Sequence, residues 1–174
     1  MDGKMTMPIN SQLKTSSEHA SHFLPATDFA AMVKNMPLIA IDLLIENEKG
    51  DYLLGWRSNP PAQSSWFVPG GRIRKNESLA NAFMRITQTE LGSALKLEQA
   101  AFKGVYQHFY AENFLGEQGQ STHYITLAYQ LKVHKNALSL PTDQHAHYRW
   151  TNYESMQLDP QIHTYTLDYF ATPS

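Results

Sequence analysis

The sequence contains no cysteine, which excludes a disulfide framework, a thiolate metal centre and a cysteine nucleophile together. Charge is also scarce: Asp, Glu, Lys and Arg make up 17% of the 174 residues, below the roughly 25% of an average domain. The formal net charge is −2 and there is no run of Lys or Arg, so the electrostatic footprint of a nucleic-acid or anionic-membrane binder is missing. An anionic ligand must then be met by a few placed cations or by a metal. No apolar stretch approaches the ~20 residues of a membrane span. The opening MDGKMTMPINSQLKTSSEHASH lacks the continuous apolar segment of a secretory signal. A soluble, cytoplasmic protein is expected. Apolar residues make up 42% and aromatics 11%, enough for the core of a single globular domain.

Residues 1–22 are polar and aperiodic and read as a flexible N-terminal extension, leaving a domain over 23–174. In TDFAAMVKNMP, Thr27 or Asp28 is placed to cap a short helix carrying Phe29, Met32 and Val33, which Pro37 ends. Two β-prone runs in LIAIDLLIENEKGDYLLGWR, joined by Glu48–Lys49–Gly50–Asp51, predict a hairpin or meander. WFVPGGRI reads as a short strand running into a glycine-rich loop. From Ser78, a plausible N-cap, the period becomes helical, with Leu79, Ala82, Phe83 and Ile86 on one face and Gly92 closing the helix. Strands are expected at FKGVYQHFY, HYITLAYQLKV and HYRWTN, a loop at AENFLGEQGQS, and a final short helix within QIHTYTLDYF. Trp66, Trp150 and the methionines read as core or sheet packing. A mixed sheet covered by a few helices is the natural assembly.

The chemically informative segment is PGGRIRKNESLANAFMRITQTELGS, residues 69–93. Consecutive glycines let backbone approach a diphosphate, and a carboxylate-bearing helix holds the hard divalent cation that bridges phosphate oxygens. This segment resembles the Nudix box, G-x5-E-x7-R-E-U-x-E-E-x-G-U: Gly71, Glu77, Arg85, Glu90 and Gly92 stand at the required spacings. The strand, glycine tract and capped helix around them supply the context that the box demands. The departures are Ile86 and Thr89, where the box has Glu. Only Glu90 survives on that face, which a phosphorus-attacking pyrophosphohydrolase with several bound metals should not tolerate.

The same erosion, together with FLPATDFA, PLIAIDLLIEN, LLGWRSNPPAQSSWFVPGGR, GVYQHFY, THYITL and LPTDQHAHYRW, resembles the GDP-mannose mannosyl hydrolase subfamily of the Nudix superfamily over nearly all of the chain after residue 22. The resemblance implies a Nudix fold, an α/β/α sandwich with a mixed β-sheet. It implies a Mg²⁺-dependent enzyme, with Mn²⁺ as an alternative ion, that cleaves GDP-mannose or a related GDP-hexose. Water attacks the anomeric carbon with inversion, releasing GDP and free sugar, and the enzyme is a homodimer. The rivals are a Nudix nucleotide-sugar pyrophosphohydrolase attacking phosphorus and a catalytically eroded nucleotide-sugar binding module.

Residue by residue, the resemblance assigns Glu90, the backbone carbonyl of Gly70 and the side chain of Gln144 to the metal. Glu77 more plausibly braces the loop. His145 is the candidate base, since a histidine titrating near 6.5 can activate water around neutrality; His147 is the rival imidazole. Arg57 and Arg72 suit the diphosphate, because a guanidinium grips phosphate oxygens bidentately and keeps its charge. Arg57 also reads as a strand-end surface residue, whereas Arg72 directly follows the glycine pair. Asp42 interrupts an apolar run, so it must be paired in the core or face a site. Tyr124 can hydrogen-bond a phosphate or sugar oxygen, or simply pack. His108 is placed to reach the site. Phe23, Leu24 and Phe29 align with a nucleotide-contacting segment, against ordinary packing at a helix entry.

Overall fold

The computed structural model describes residues 24–114, 120–141 and 147–171. The extension expected over 1–22 lies outside them, as do the middle of the expected AENFLGEQGQS loop and the Gln144–His145 pair.

The chain enters through helix α1 (Ala26–Asn35). Its N-cap is Pro25, which makes no side-chain cap bond; the Pro25 carbonyl instead accepts from Asp28 N and Phe29 N at 3.1 and 3.0 Å. Thr27 and Asp28, the expected caps, thus sit within the first turn, two and three residues past Pro25, where Asp28 complements the positive helix end. Of the three apolar residues foreseen on its inner face, Val33 alone is fully buried. Pro37 follows the C-cap Met36 and stops the helix, as expected.

Strand β1 (Leu38–Glu46) lies mid-sheet and is buried on both faces, which explains its nearly unbroken apolar run. It pairs antiparallel with β2 (Tyr52–Trp56), closing the expected hairpin, and with β4 (Gly70–Arg72). On its other side it runs parallel to β6 (Thr122–Lys132) from Leu38↔Tyr124 to Glu46↔Lys132. Strand β5 (Ala101–Tyr110) then pairs antiparallel with β6. Beyond β2 come β3 (Trp66–Phe67) and β7 (Tyr148–Thr151). The sheet is therefore mixed. The glycine tract is not a loop: Gly70, Gly71 and Arg72 form a strand in register with Asp42, Ile41 and Ala40. That pairing requires glycine, since a Cβ on Gly70 would collide with Asp42 Oδ1 and the Ile41 carbonyl.

Alternation along β1 feeds two cores. Ile41, Leu43 and Ile45 pack with Phe83, Ile86 and Leu91 of helix α2 (Leu79–Leu91). Leu44 faces the other way and packs with Leu54, Phe67, Met156 and Tyr169 under two short helices, α3 (Tyr153–Leu158) and α4 (Thr164–Asp168). The α/β/α sandwich follows from that division. Helix α3 carries no signal beyond its Asn152 cap, which accepts from Ser155 N at 2.8 Å, and it was not foreseen. The methionines divide: Met156 is fully buried, whereas Met36 and Met84 are exposed. Trp66 is half-buried, with Trp56 edge-on at 5.2 Å and the Arg149 guanidinium over its ring at 4.3 Å. Among the described residues no helix is long and apolar enough to cross a membrane.

Candidate functional site

One cavity of about 240 Å³ opens where β1, β4, β5 and β6 meet the C-terminal end of α2. Its wall includes Asp42, Arg57 and Gly70, and continues through Arg72, Glu90, His108 and Tyr124. Residues separated by more than eighty positions in the chain thus converge on one hollow.

Helix α2 delivers Glu90 because both of its ends are defined. Ser78 Oγ accepts from Asn81 N at 3.2 Å, and Gly92 adopts φ +69° at the C-cap. The helix sets its three box positions differently. Ile86 is 1% exposed and belongs to the core, 3.2 Å from where a Gly71 Cβ would stand. Thr89 is exposed to solvent. Glu90 is 7% exposed and lines the cavity. Glu77 braces the loop as expected: Arg85 pairs with it at 2.7 Å, Glu77 Oε2 accepts from Arg74 N at 2.9 Å, and Arg85 Nη2 donates to the Arg72 carbonyl at 2.9 Å. That brace draws the Glu77 carboxyl below its ordinary pKa through the Arg85 hydrogen bond.

The two cations are held in different ways. Arg57 Nε donates to the Pro61 carbonyl at 2.9 Å, so the turn after β2 grips one nitrogen of the guanidinium beside the cavity. Arg57 N and O are also bonded to Ser65 O and Ser64 N, at 3.0 and 2.9 Å. Arg72 stands on β4 with its guanidinium 4.3 Å over the Phe29 ring. Burial lowers the Arg72 pKa from its usual value.

Asp42 is 7% exposed and sits on the face of β1 opposite α2. Its hydrogen-bond partner is the Tyr169 hydroxyl, which donates to Oδ2. Of the two readings left open for it, the carboxylate lines the cavity. Burial pushes the Asp42 pKa up to about 7, against the pull of the Tyr169 bond and of Arg57, with Glu90 adding to the rise. His108 is 2% exposed and stacks on Tyr165 at 4.3 Å and 9°. Burial, and secondarily His163, lowers its pKa to about 4, so its imidazole is neutral around pH 7. Burial raises the Tyr124 hydroxyl, which therefore stays protonated.

Phe29 reaches the site indirectly, through its contact with Arg72 and a Phe114 ring at 4.7 Å. Leu24 is exposed at 44% and does not line the cavity. Phe23, Gln144 and His145 lie outside the described residues. His147 is exposed, and its carbonyl accepts from Trp56 N at 2.9 Å, a role in the β2–β7 edge. Unforeseen in the wall are Tyr110 and Thr126, which the alternation of β5 and β6 brings to the faces of His108 and Tyr124.

The sequence pattern of the NUDIX domain matches residues 36–170, a span that holds the whole cavity. This chain belongs to the NUDIX family. It is 38% identical over 123 residues to the low-salt glycan biosynthesis protein Agl8 of Haloferax volcanii, spanning 71% of this chain and 76% of that one. The fold resembles the MutT protein of Methanosarcina mazei, with TM-score 0.61 and 24% identity over 78% of this chain and 92% of that chain. It also resembles the NUDIX domain of Shewanella oneidensis NrtR, solved with ADP-ribose, with TM-score 0.57 and 16% identity over 84% and 97%. The protein is a Nudix hydrolase.

Nudix hydrolases generally use divalent ions such as Mg²⁺, and the donors fit such an ion. Glu90 and the Gly70 backbone offer hard oxygens at the cavity wall. Among the described residues no three acidic or histidine side chains form a cage. Mg²⁺ takes one or two carboxylates and completes its shell with water and substrate phosphates.

Proposed function

We propose that this Nudix hydrolase converts GDP-mannose, or a closely related GDP-hexose, into GDP and free sugar by water attack at the anomeric carbon. The observation that carries the reading is the asymmetry of the box helix. Ile86 is committed to the core, Thr89 to solvent, and Glu90 alone among α2 side chains lines the cavity. Attack at phosphorus with several bound metals needs more carboxylates than this helix provides, whereas departure of a diphosphate needs mainly positive charge. The relative named for glycan biosynthesis agrees with a nucleotide-sugar substrate.

In this reading the oxygen–C1 bond of the attacking water forms as the bond from C1 to the diphosphate oxygen breaks. GDP leaves with the electron pair and the centre inverts. Arg57 and Arg72 hold the departing diphosphate. Glu90, the Gly70 carbonyl and Gln144 would hold Mg²⁺, which would neutralise charge on the leaving group. His145 takes the proton from water. Asp42 and Tyr124 line the sugar–phosphate region. His108, neutral at this pH, contributes a hydrogen bond without charge. Phe23, Leu24 and Phe29 serve the nucleotide. The same resemblance carries a cytoplasmic homodimer as part of the proposal.

Hydrolysis of GDP-mannose in H₂¹⁸O tests the reading. The label is expected in mannose, with β-mannose the first anomer seen by NMR. Label in GMP or mannose phosphate would establish attack at phosphorus instead, and no turnover with Mg²⁺ would leave a binding module.

A further inference from the structure

Behind the cavity wall stands a hydroxyl that no motif in the sequence points to. Tyr169 follows α4 and is 4% exposed. Its hydroxyl donates to Asp42 Oδ2 across 127 positions of chain, and its oxygen stands 3.2 Å from His108 Nε2. With its proton committed to Asp42, that oxygen accepts from the His108 Nε2–H. Asp42 and His108 both line the cavity, whereas Tyr169 stands behind them.

The other Asp42 oxygen lies against the glycine strand. Oδ1 occupies the space that a side chain at Gly70 would fill, so the absence of a Cβ there gives the carboxylate its seat. Around Tyr169 the packing is equally determinate. Tyr106 meets its ring edge-on at 4.6 Å, and the His108 ring lies flat on Tyr165. The Tyr165 hydroxyl in turn donates to the Phe109 carbonyl at 2.9 Å and accepts from Phe109 N at 2.8 Å. The C-terminal helix is thereby riveted to β5 beneath the cavity. A hydrogen-bonding hydroxyl buried among apolar and aromatic groups is costly unless its partners are in place, so the arrangement selects one geometry for both cavity residues.

We infer that Tyr169 is a positioning residue of this site, holding the Asp42 carboxylate against the glycine strand and orienting His108 by a single shared hydroxyl. The inference rests on the proposed hydrolysis for its kinetic consequence, but its structural claim stands apart.

Tyr169→Phe deletes only the hydroxyl and keeps the ring in its packing. With GDP-mannose and Mg²⁺, kcat is expected to fall on the order of tenfold with KM changed by less than about twofold. In an Asp42→Asn background the same change should cost less than about twofold, because the group it acts through is already altered. A crystal structure of Tyr169→Phe should show the Asp42 side chain turned away from Gly70. In the wild-type protein, NMR should show a protected, downfield tyrosine hydroxyl proton that shifts upfield in Asp42→Asn, a measurement that does not depend on the Tyr169 variant folding. Equal losses of kcat in the two backgrounds, an unmoved Asp42, or no such proton would overturn the positioning role. If wild-type protein leaves GDP-mannose intact, the proposed function falls while the crystal structure and the proton resonance still decide the role of Tyr169.

Discussion

The two arginines illustrate how little the identity of a charged side chain says until its anchors are known. Arg57 spends its Nε on the Pro61 carbonyl, and Arg72 lies over Phe29. Arg72→Gln removes the charge and shortens the side chain while keeping it polar, and it should lower kcat by an amount equivalent to roughly 2–4 kcal/mol, by analogy with loss of an oxyanion donor. A change confined to KM in steady-state kinetics would reassign Arg72 to ground-state binding. For the base, His145→Gln should abolish the rising limb of the kcat–pH profile while leaving calorimetric binding of Mg²⁺ and GDP nearly intact. His147→Gln is the control, and greater damage from it would transfer the role. His108 makes a separate prediction about stability. Its folded pKa of about 4 lies below its ordinary 6.5, so its neutral burial contributes fully above 6.5 and is lost as pH falls toward 4. Asp42, raised from 3.8 to about 7, acts in the opposite sense over an overlapping window. His108→Asn should therefore lose less thermal stability than the wild type between about pH 7 and about pH 5. Parallel melting curves without added metal check this, and identical pH slopes would refute it.

At the scale of the element, α2 matters most, because its length and phase decide which side chain reaches the cavity. Its two ends are secured by different physics. Ser78→Ala removes a side-chain cap and should cost about 1 kcal/mol. Gly92→Ala forces an L side chain into φ +69° and drives its Cβ into the Ser139 carbonyl. Strain of this kind costs roughly 1–3 kcal/mol before the collision is relieved, so Gly92→Ala should be the more damaging of the two in chemical denaturation. Comparable midpoints would mean that the backbone around Ser139 yields. The glycine tract repeats the lesson on a strand. Gly70 is glycine because Asp42 Oδ1 and the Ile41 carbonyl take the space of a side chain, whereas a Cβ at Gly71 would stand 3.2 Å from Ile86 Cγ1, a contact that a small shift of the Ile86 side chain relieves.

For the whole molecule, the sheet is the device that gathers the site. A parallel β1–β6 pairing, flanked by antiparallel β4 and β5, brings Asp42, Gly70, Tyr124 and His108 to one hollow. The NUDIX match begins at residue 36, and the first twenty residues are polar and aperiodic. A protein beginning at Ser21 should fold cooperatively and turn over GDP-mannose at the full-length rate. Removal of Phe23 and Leu24 as well should raise KM, if those side chains serve the nucleotide. Loss of cooperative melting on the shorter deletion would show that the extension is part of the fold.

Much of this architecture was legible in the linear sequence because its causes are local. Ser78 and Gly92 bracket a helix by hydrogen bonding and by φ, the Glu48–Asp51 turn joins two β-prone runs, and five box positions in register mark the segment that supplies Gly71 and Glu90 to the cavity wall. The cap of α1 falls on Pro25 rather than on Thr27 or Asp28, and the glycine tract is a strand rather than a loop because strand pairing is not local. Whether Asp42 faced a core partner or a cavity was undecidable from the run LIAIDLLI, since a strand buried on both faces gives no alternation to read. Only the tertiary structure brought Tyr169 from the far end of the chain to its carboxylate and buried His108 deeply enough to keep it neutral. A hydrogen bond between groups 127 positions apart, and a pKa set by burial, are properties of packing that no spacing of residues encodes.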